Sequence, residues 1–155
     1  MNNYPYRKGV NAFVIDNENH FLLVQKQNYG DNQWDVPGGG LEDNEKPKIG
    51  ILRELNEELG STDFEIVKES TLIDSFEWPE KEQEKAFAKH KKWWRGQEKY
   101  QFLIKFTGSK QSLVLQDEEI RKIVWVPYSK LKDHLIFEGQ MENANKVLKD
   151  FGITS

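Results

Sequence analysis

Glu54, Glu57 and Glu58 lie three and four residues apart within the run Arg53-Glu54-Leu55-Asn56-Glu57-Glu58-Leu59-Gly60. On a helix these positions fall within about 100° of one another, so three carboxylates are expected to converge on one face. Like charges at that spacing each cost roughly 0.2–0.5 kcal/mol, and Arg53 alone does not neutralise the group. Partial burial in a cleft would raise the cost, and a divalent cation would relieve it. Oxygen ligands with open positions suit Mg²⁺, with Mn²⁺ as a second option, ions that bind through a few carboxylates, water and the phosphates of a substrate. A solvated acidic helix face would look the same from the acids alone. However, three consecutive glycines, Gly38 to Gly40, follow Trp34-Asp35-Val36-Pro37 and mark a backbone that something approaches closely. Acids and glycines together point to phosphate chemistry.

These residues need elements to position them. A helical pattern runs from Lys48 to Leu59, with Pro47 tolerable in its first turn and Gly60 suited to a left-handed cap. Leu52, Leu55 and Leu59, with Ile49 beyond them, are expected to form an apolar stripe opposite the acids. Val10–Asp16 and Phe21–Gln25 read as two strands joined by a hairpin through residues 17–20. Further strands are expected at Glu65–Phe76, Tyr100–Phe106 and Ile123–Val126, and a closing helix at Met141–Phe151, with Met141, Ala144, Val147, Leu148 and Phe151 near one face. The segment from Glu77 to Arg95 is a charged excursion, first acidic and then basic and aromatic (Lys89 to Arg95), expected to form a loop or short helix. No regular βαβ alternation and no internal repeat is present.

Length and composition set the limits. The 155 residues suit one domain, taken as 1–155, and nine Phe, five Trp and five Tyr supply the bulk of one core. A formal charge of -4 excludes a whole-protein positive field that would gather nucleic acid. The absence of cysteine excludes thiol nucleophiles, disulfides and cysteine-held metals. There is no GxxxxGK phosphate loop and no GxSxG elbow, and His20, His90 and His134 are scattered in polar settings that suit surface residues. The start, Met1 to Gly9, lacks the apolar stretch of a signal peptide, and no segment approaches the length of a membrane span, so a soluble cytoplasmic protein with no membrane partner is expected.

Written out, Gly39 is followed after five residues by Glu45, and after seven more by Arg53-Glu54-Leu55-Asn56-Glu57-Glu58-Leu59-Gly60. This resembles the Nudix box of the Nudix hydrolases, G-x5-E-x7-R-E-U-x-E-E-x-G-U with U a bulky apolar residue. Ser61 stands where the last apolar residue is usual, a departure that bears on local packing. The resemblance implies an α/β fold, an α/β/α sandwich around a mixed sheet. It also implies that Glu54, Glu57 and Glu58 ligate Mg²⁺ or Mn²⁺, that a backbone carbonyl such as that of Gly39 completes the set, and that Arg53 and Glu45 orient the acids. Catalysis would then fall to Glu54, Glu57 and Arg53, with Glu119, in Asp117-Glu118-Glu119-Ile120, as a fourth ligand or the base; an ordinary acidic turn is the alternative there.

A narrower similarity, over nearly the whole chain, is to the bacterial branch that cuts 5'-triphosphate RNA and dinucleoside polyphosphates. It implies a nucleotide, a dinucleoside polyphosphate or an RNA 5' end as partner. It also implies phosphate contacts from Arg7, Lys26, Arg95 and Lys99, a role for Trp34 ahead of the glycines, and a base stacked on Phe137. Three departures set the chain apart from that branch: Pro37-Gly38-Gly39-Gly40 in place of Pro-Gln-Gly-Gly, Glu138 where a basic residue is usual, and no Lys-Trp pair before Phe102. Hydrolysis of ADP-ribose, NADH or nucleoside triphosphates, and a non-catalytic nucleotide sensor, therefore stand as alternatives.

Overall fold

The computed structural model describes residues 3–116 and 118–154. Its elements are β1 (Tyr6–Ile15), β2 (Phe21–Lys26), β3 (Gly38–Gly40), α1 (Pro47–Leu59), β4 (Phe64–Glu77), α2 (Glu80–His90), β5 (Gly96–Phe106), β6 (Ile120–Val126), α3 (Leu131–His134) and α4 (Gln140–Asp150). The sheet runs β4-β5-β1-β2-β6, with β3 added to β1. β1 and β5 are parallel and the remaining pairs antiparallel, so the sheet is mixed.

Strand alternation builds two apolar layers. Val10, Ala12 and Val14 of β1 join Phe102 and Ile104 of β5 beneath Ile51, Leu55 and Leu59 of α1. Phe13, Leu23 and Leu103 face the other way, onto Ala144, Val147 and Leu148 of α4. Helices thus cover both sheet faces, giving the α/β/α sandwich with a mixed sheet that the motif implied.

Along one edge, β1 pairs β3 at Gly9–Asn11 but meets β2 only at Ile15 and Phe21. The strands splay, and residues 35–40 wedge between them. The Ala12 N–H donates to the Pro37 carbonyl at 2.8 Å, while Val24 and Asp35 exchange backbone bonds at 2.8 and 2.9 Å. Glycine is required in this wedge at position 38, where a Cβ would strike the Val10 backbone.

Of three expectations, two are corrected. The buried stripe of α1 is Ile51, Leu55 and Leu59, with Leu52 at 38% and Ile49 at 60% exposure on its outer side. The acids do not lie opposite this stripe, because Glu54 and Glu58 are themselves buried beside it. The polar wedge of glycines, rather than apolar sheet, underlies that flank of the helix. Second, the Glu77–Arg95 excursion carries a short helix as expected, α2, which buries none of its residues; it is held by Trp93, stacked between Phe87 (4.4 Å) and Tyr4 (5.6 Å). Third, β1, β5 and β6 begin earlier than expected, at Tyr6, Gly96 and Ile120, because polar residues such as Arg7, Lys8, Glu98 and Lys122 continue the pairing where the run of apolar residues stops; Gln97 and Ile120 are buried there. Ser61 disturbs nothing: it is buried and its hydroxyl accepts the Asp63 N–H at 3.0 Å. No helix among the described residues is long and apolar enough to cross a membrane.

Candidate active site

Arg53 is the hub of the acidic end of α1. Its Nε and Nη2 grip the two Glu45 oxygens at 2.7 and 2.8 Å, a fork that only a planar guanidinium can make. Nη2 also donates to the Gly40 carbonyl at 3.0 Å, and Nη1 to Glu54 and Glu57, each at 3.1 Å. Glu45 accepts the Glu42 N–H besides, and the Arg53 hydrogen bonds hold its carboxyl down at about 2. One cation therefore ties the loop before α1, the glycine strand and two helix acids together.

The inner acids are electrostatically loaded. Burial raises the Glu54 carboxyl above its usual range, with Arg53 opposing and Glu57 and Glu119 adding to the rise. A Cβ on Gly39 would collide with the Glu54 carboxylate, so a side chain here would displace that carboxylate from its place beside the glycines. Burial pushes Glu58 up to about 8 against the pull of Lys26, and Glu54 and Glu119 push the same way. The Glu58 Oε1 accepts the Gly38 N–H at 3.1 Å. The convergence read from the helical wheel is corrected in one respect: among the described residues no three acids lie gathered as an ion cage. Glu54 and Glu57 meet instead at the Arg53 guanidinium, and Glu58 meets the glycine backbone.

The other residues named from the sequence fall into two groups. Glu119, Lys26, Arg7, Lys99 and Phe137 come near the acids or the adjoining cleft. Glu119 acts on Glu54 and Glu58, and Arg7 sits over the Trp94 ring at 5.2 Å and feels Glu54. A cleft of about 620 Å³ is lined by Asn11, Tyr29, Asp35, Asp74, Lys99 and Phe137, among others. Burial lowers the Lys99 ammonium, while Asp35, Asp74 and Glu58 support its charge and Lys26 opposes it. Trp34 and Arg95 lie elsewhere. Trp34 packs on the α4 layer, edge-on to His134 at 5.9 Å, and Arg95 pairs with Glu77 and covers the Tyr6 ring at 4.9 Å. Asp117 is outside the described residues.

Residues 5–150 match the model of the NUDIX domain. The chain belongs to the Nudix family. It is 30% identical over 153 residues to the RNA pyrophosphohydrolase of Rickettsia canadensis (strain McKiel), covering 95% of this chain and 90% of that protein. A C. elegans Ap4A hydrolase binary complex shares the fold with a TM-score of 0.64 at 15% identity, over 93% of this chain and 95% of that one. The E. coli dihydroneopterin triphosphate pyrophosphohydrolase does so with a TM-score of 0.70 at 13% identity, over 94% and 99%.

Nudix hydrolases use divalent metal ions. The donor set here fits one: two buried carboxylates, each raised by burial and by its acidic neighbours, are the groups a cation would stabilise most. Among the residues that line this Nudix cleft, Asn11, Tyr29, Asp35 and Asp74 escaped the sequence reading. Tyr29 sits in an irregular loop yet meets Phe137 edge-on at 5.1 Å and reaches Asp35 at 3.4 Å. Asp35 stands three residues before the glycine run, and Trp94, beneath the Arg7 guanidinium, lies within the basic run; only their proximity to motif residues could have singled them out.

Proposed function

We propose that this Nudix hydrolase, one domain over 1–155, is a Mg²⁺-dependent pyrophosphohydrolase that cleaves a phosphoanhydride in dinucleoside polyphosphates or 5'-triphosphate RNA. Mn²⁺ would substitute. The observation that carries the reading is the Arg53 hub, which holds Glu54 and Glu57 at one guanidinium nitrogen while Glu58 sits buried beside the glycines, next to a cleft with Lys99 and an aromatic pair. Similarity to the Rickettsia RNA pyrophosphohydrolase supports the RNA side, and the fold shared with the C. elegans Ap4A hydrolase is consistent with the dinucleoside side. A cytoplasmic location suits both substrates.

Glu54, Glu57 and Glu58, with the Gly39 carbonyl and Glu119, would hold the ion. When bound, a divalent cation spreads the charge developing on phosphate oxygens and makes a water more acidic. The protein's own part is placement. Arg53 fixes the rotamers of Glu54 and Glu57, so neither has to be ordered during the reaction. Arg7, Lys26 and Lys99 would draw in the polyphosphate, with Arg95 and Trp34 reaching it only from the periphery. Tyr29 and Phe137, edge-on to one another, would offer a base one shared aromatic wall. Water oxygen bonds to phosphorus as the anhydride P–O bond breaks in line, and a carboxylate among Glu54, Glu57 and Glu119 takes the water proton.

A product-resolved assay with Mg²⁺ on diadenosine tetraphosphate, triphosphorylated RNA, ADP-ribose, NADH and nucleoside triphosphates tests the reading. Fastest turnover of either of the first two is expected. Preference for ADP-ribose would reassign the substrate, and nucleotide binding without phosphate release would make the chain a sensor.

A further inference from the structure

Outside the acidic hub, the densest polar cluster lies where β2 ends. Gln25 is fully buried, and its Nε2 donates to the carbonyls of Gly30, Asp31 and Gln33 at 3.0, 2.9 and 3.3 Å. Its Oε1 accepts Nε and Nη2 of Arg121 at 3.0 and 2.6 Å. Arg121 Nη2 reaches on to the Tyr29 carbonyl at 3.1 Å and pairs with Asp31 at 3.3 Å. Two side chains on neighbouring strands thus close the backbone of residues 29–33 from beneath.

The strand register explains how Arg121 gets there. Gln25 pairs Lys122 and Lys26 pairs Ile120, so Arg121 is the extra residue of a β-bulge. A bulge leaves one residue without a cross-strand partner and re-aims its side chain, and bulges concentrate beside active sites. On either side of this one stand groups that face the cleft or its acids: Lys26, which acts on Glu58, Tyr29 against Phe137, and Glu119, whose carbonyl accepts the Gln27 N–H at 3.0 Å.

The geometry points to Arg121 as a positioning residue for substrate binding: through Gln25 and the Tyr29 carbonyl it locks the 27–33 loop, so that Tyr29 stands as a preformed wall of the base site. The inference rests on the hydrolase reading above. It commits Arg121 to acting through Tyr29, since Arg121 itself does not line the cleft.

Steady-state kinetics of R121M and R121K on whichever pyrophosphate substrate the wild type turns over fastest give the first test. KM is expected to rise about tenfold in R121M with kcat within about twofold, the signature of lost ground-state placement. R121K should recover part of that loss, because a single nitrogen, Nη2, meets both the Gln25 Oε1 and the Tyr29 carbonyl, and an ammonium gives up only the bond made by Nε. On a Tyr29→Leu background R121M should add less than about threefold to KM, the non-additivity expected of residues acting as a unit. A role confined to stability would lower the active fraction and therefore kcat, leaving KM unmoved. Amide hydrogen exchange without substrate gives the second test: amides of residues 27–33 should exchange at least about tenfold faster in R121M while β2 and β6 keep their protection. Unchanged KM, or unchanged exchange across that loop, overturns the inference. If the wild type cleaved none of the substrates, the hydrolase reading would fail by itself, and the exchange result would still decide whether Arg121 holds the loop.

Discussion

Single side chains carry most of the chemistry, and each has a distinguishable signature. Arg53 grips Glu45 with two nitrogens while a third holds Glu54 and Glu57, so Arg53→Lys keeps the charge and loses the fork. Its kcat should fall about a hundredfold, in the range that loss of a fixed electrostatic partner produces, with a much smaller change in KM. Glu54→Gln should lose about 10²–10³ in kcat yet melt no lower than wild type, because it removes a buried charge crowded by Glu57 and Glu119. A Glu54→Gln protein with near-normal turnover would remove it from the site. Three acids on one helix face were legible from their spacing. Which of them faced inward was not, since a helical wheel fixes relative angles and says nothing about which side meets the sheet. Tyr29 was equally hidden, because a lone aromatic in a polar loop has no periodicity to declare it.

At the scale of elements, the orientation of α1 makes its own prediction. Leu55 is fully buried and Leu52 is 38% exposed, so Leu55→Ala should cost about 2–5 kcal/mol and Leu52→Ala well under half of that, measured by denaturant unfolding. The reverse order would restore the apolar stripe suggested by Leu52 and Ile49. The β1–β2 hairpin supplies a pH dependence. Burial alone would raise the Asp16 carboxyl, but the Lys110 ammonium at 2.6 Å and the His20 and Glu18 N–H groups outweigh it and leave it below the ordinary value. A carboxyl depressed in the folded state contributes stability that is present above its unfolded pKa and is lost as pH falls through its folded pKa. Thermal melts should therefore decline in acid more steeply for the wild type than for Asp16→Asn, and parallel curves would contradict the assignment. The strands were read best in β2 and β4, whose ends fall within one residue of those expected, whereas β1 begins four residues earlier than its apolar run. The first halves of β5 and β6 carry Gln97, Glu98 and Lys122, polar residues that pair along the sheet, with Arg121 on a bulge; Gln97 is buried, yet none of them continues an apolar pattern.

For the molecule as a whole, the layered architecture followed from amphipathic segments and the motif, whereas the cleft depends on long-range placement. It takes Asn11 from β1, Tyr29 and Asp35 from the segment between β2 and β3, Asp74 from β4, Lys99 from β5 and Phe137 from the link between α3 and α4. Only the splay of β2 from β1, filled by residues 35–40, brings these segments beside the acids of α1. The central claim is that those acids hold the divalent ion on which hydrolysis depends. The most direct measurement is Mn²⁺ binding, followed by electron paramagnetic resonance, to the wild type and to a Glu54→Gln, Glu58→Gln double variant. The account predicts bound ion in the wild type and affinity at least about tenfold weaker in the variant, in line with losses seen when ligand-shell groups are removed; equal binding by the two proteins would contradict it.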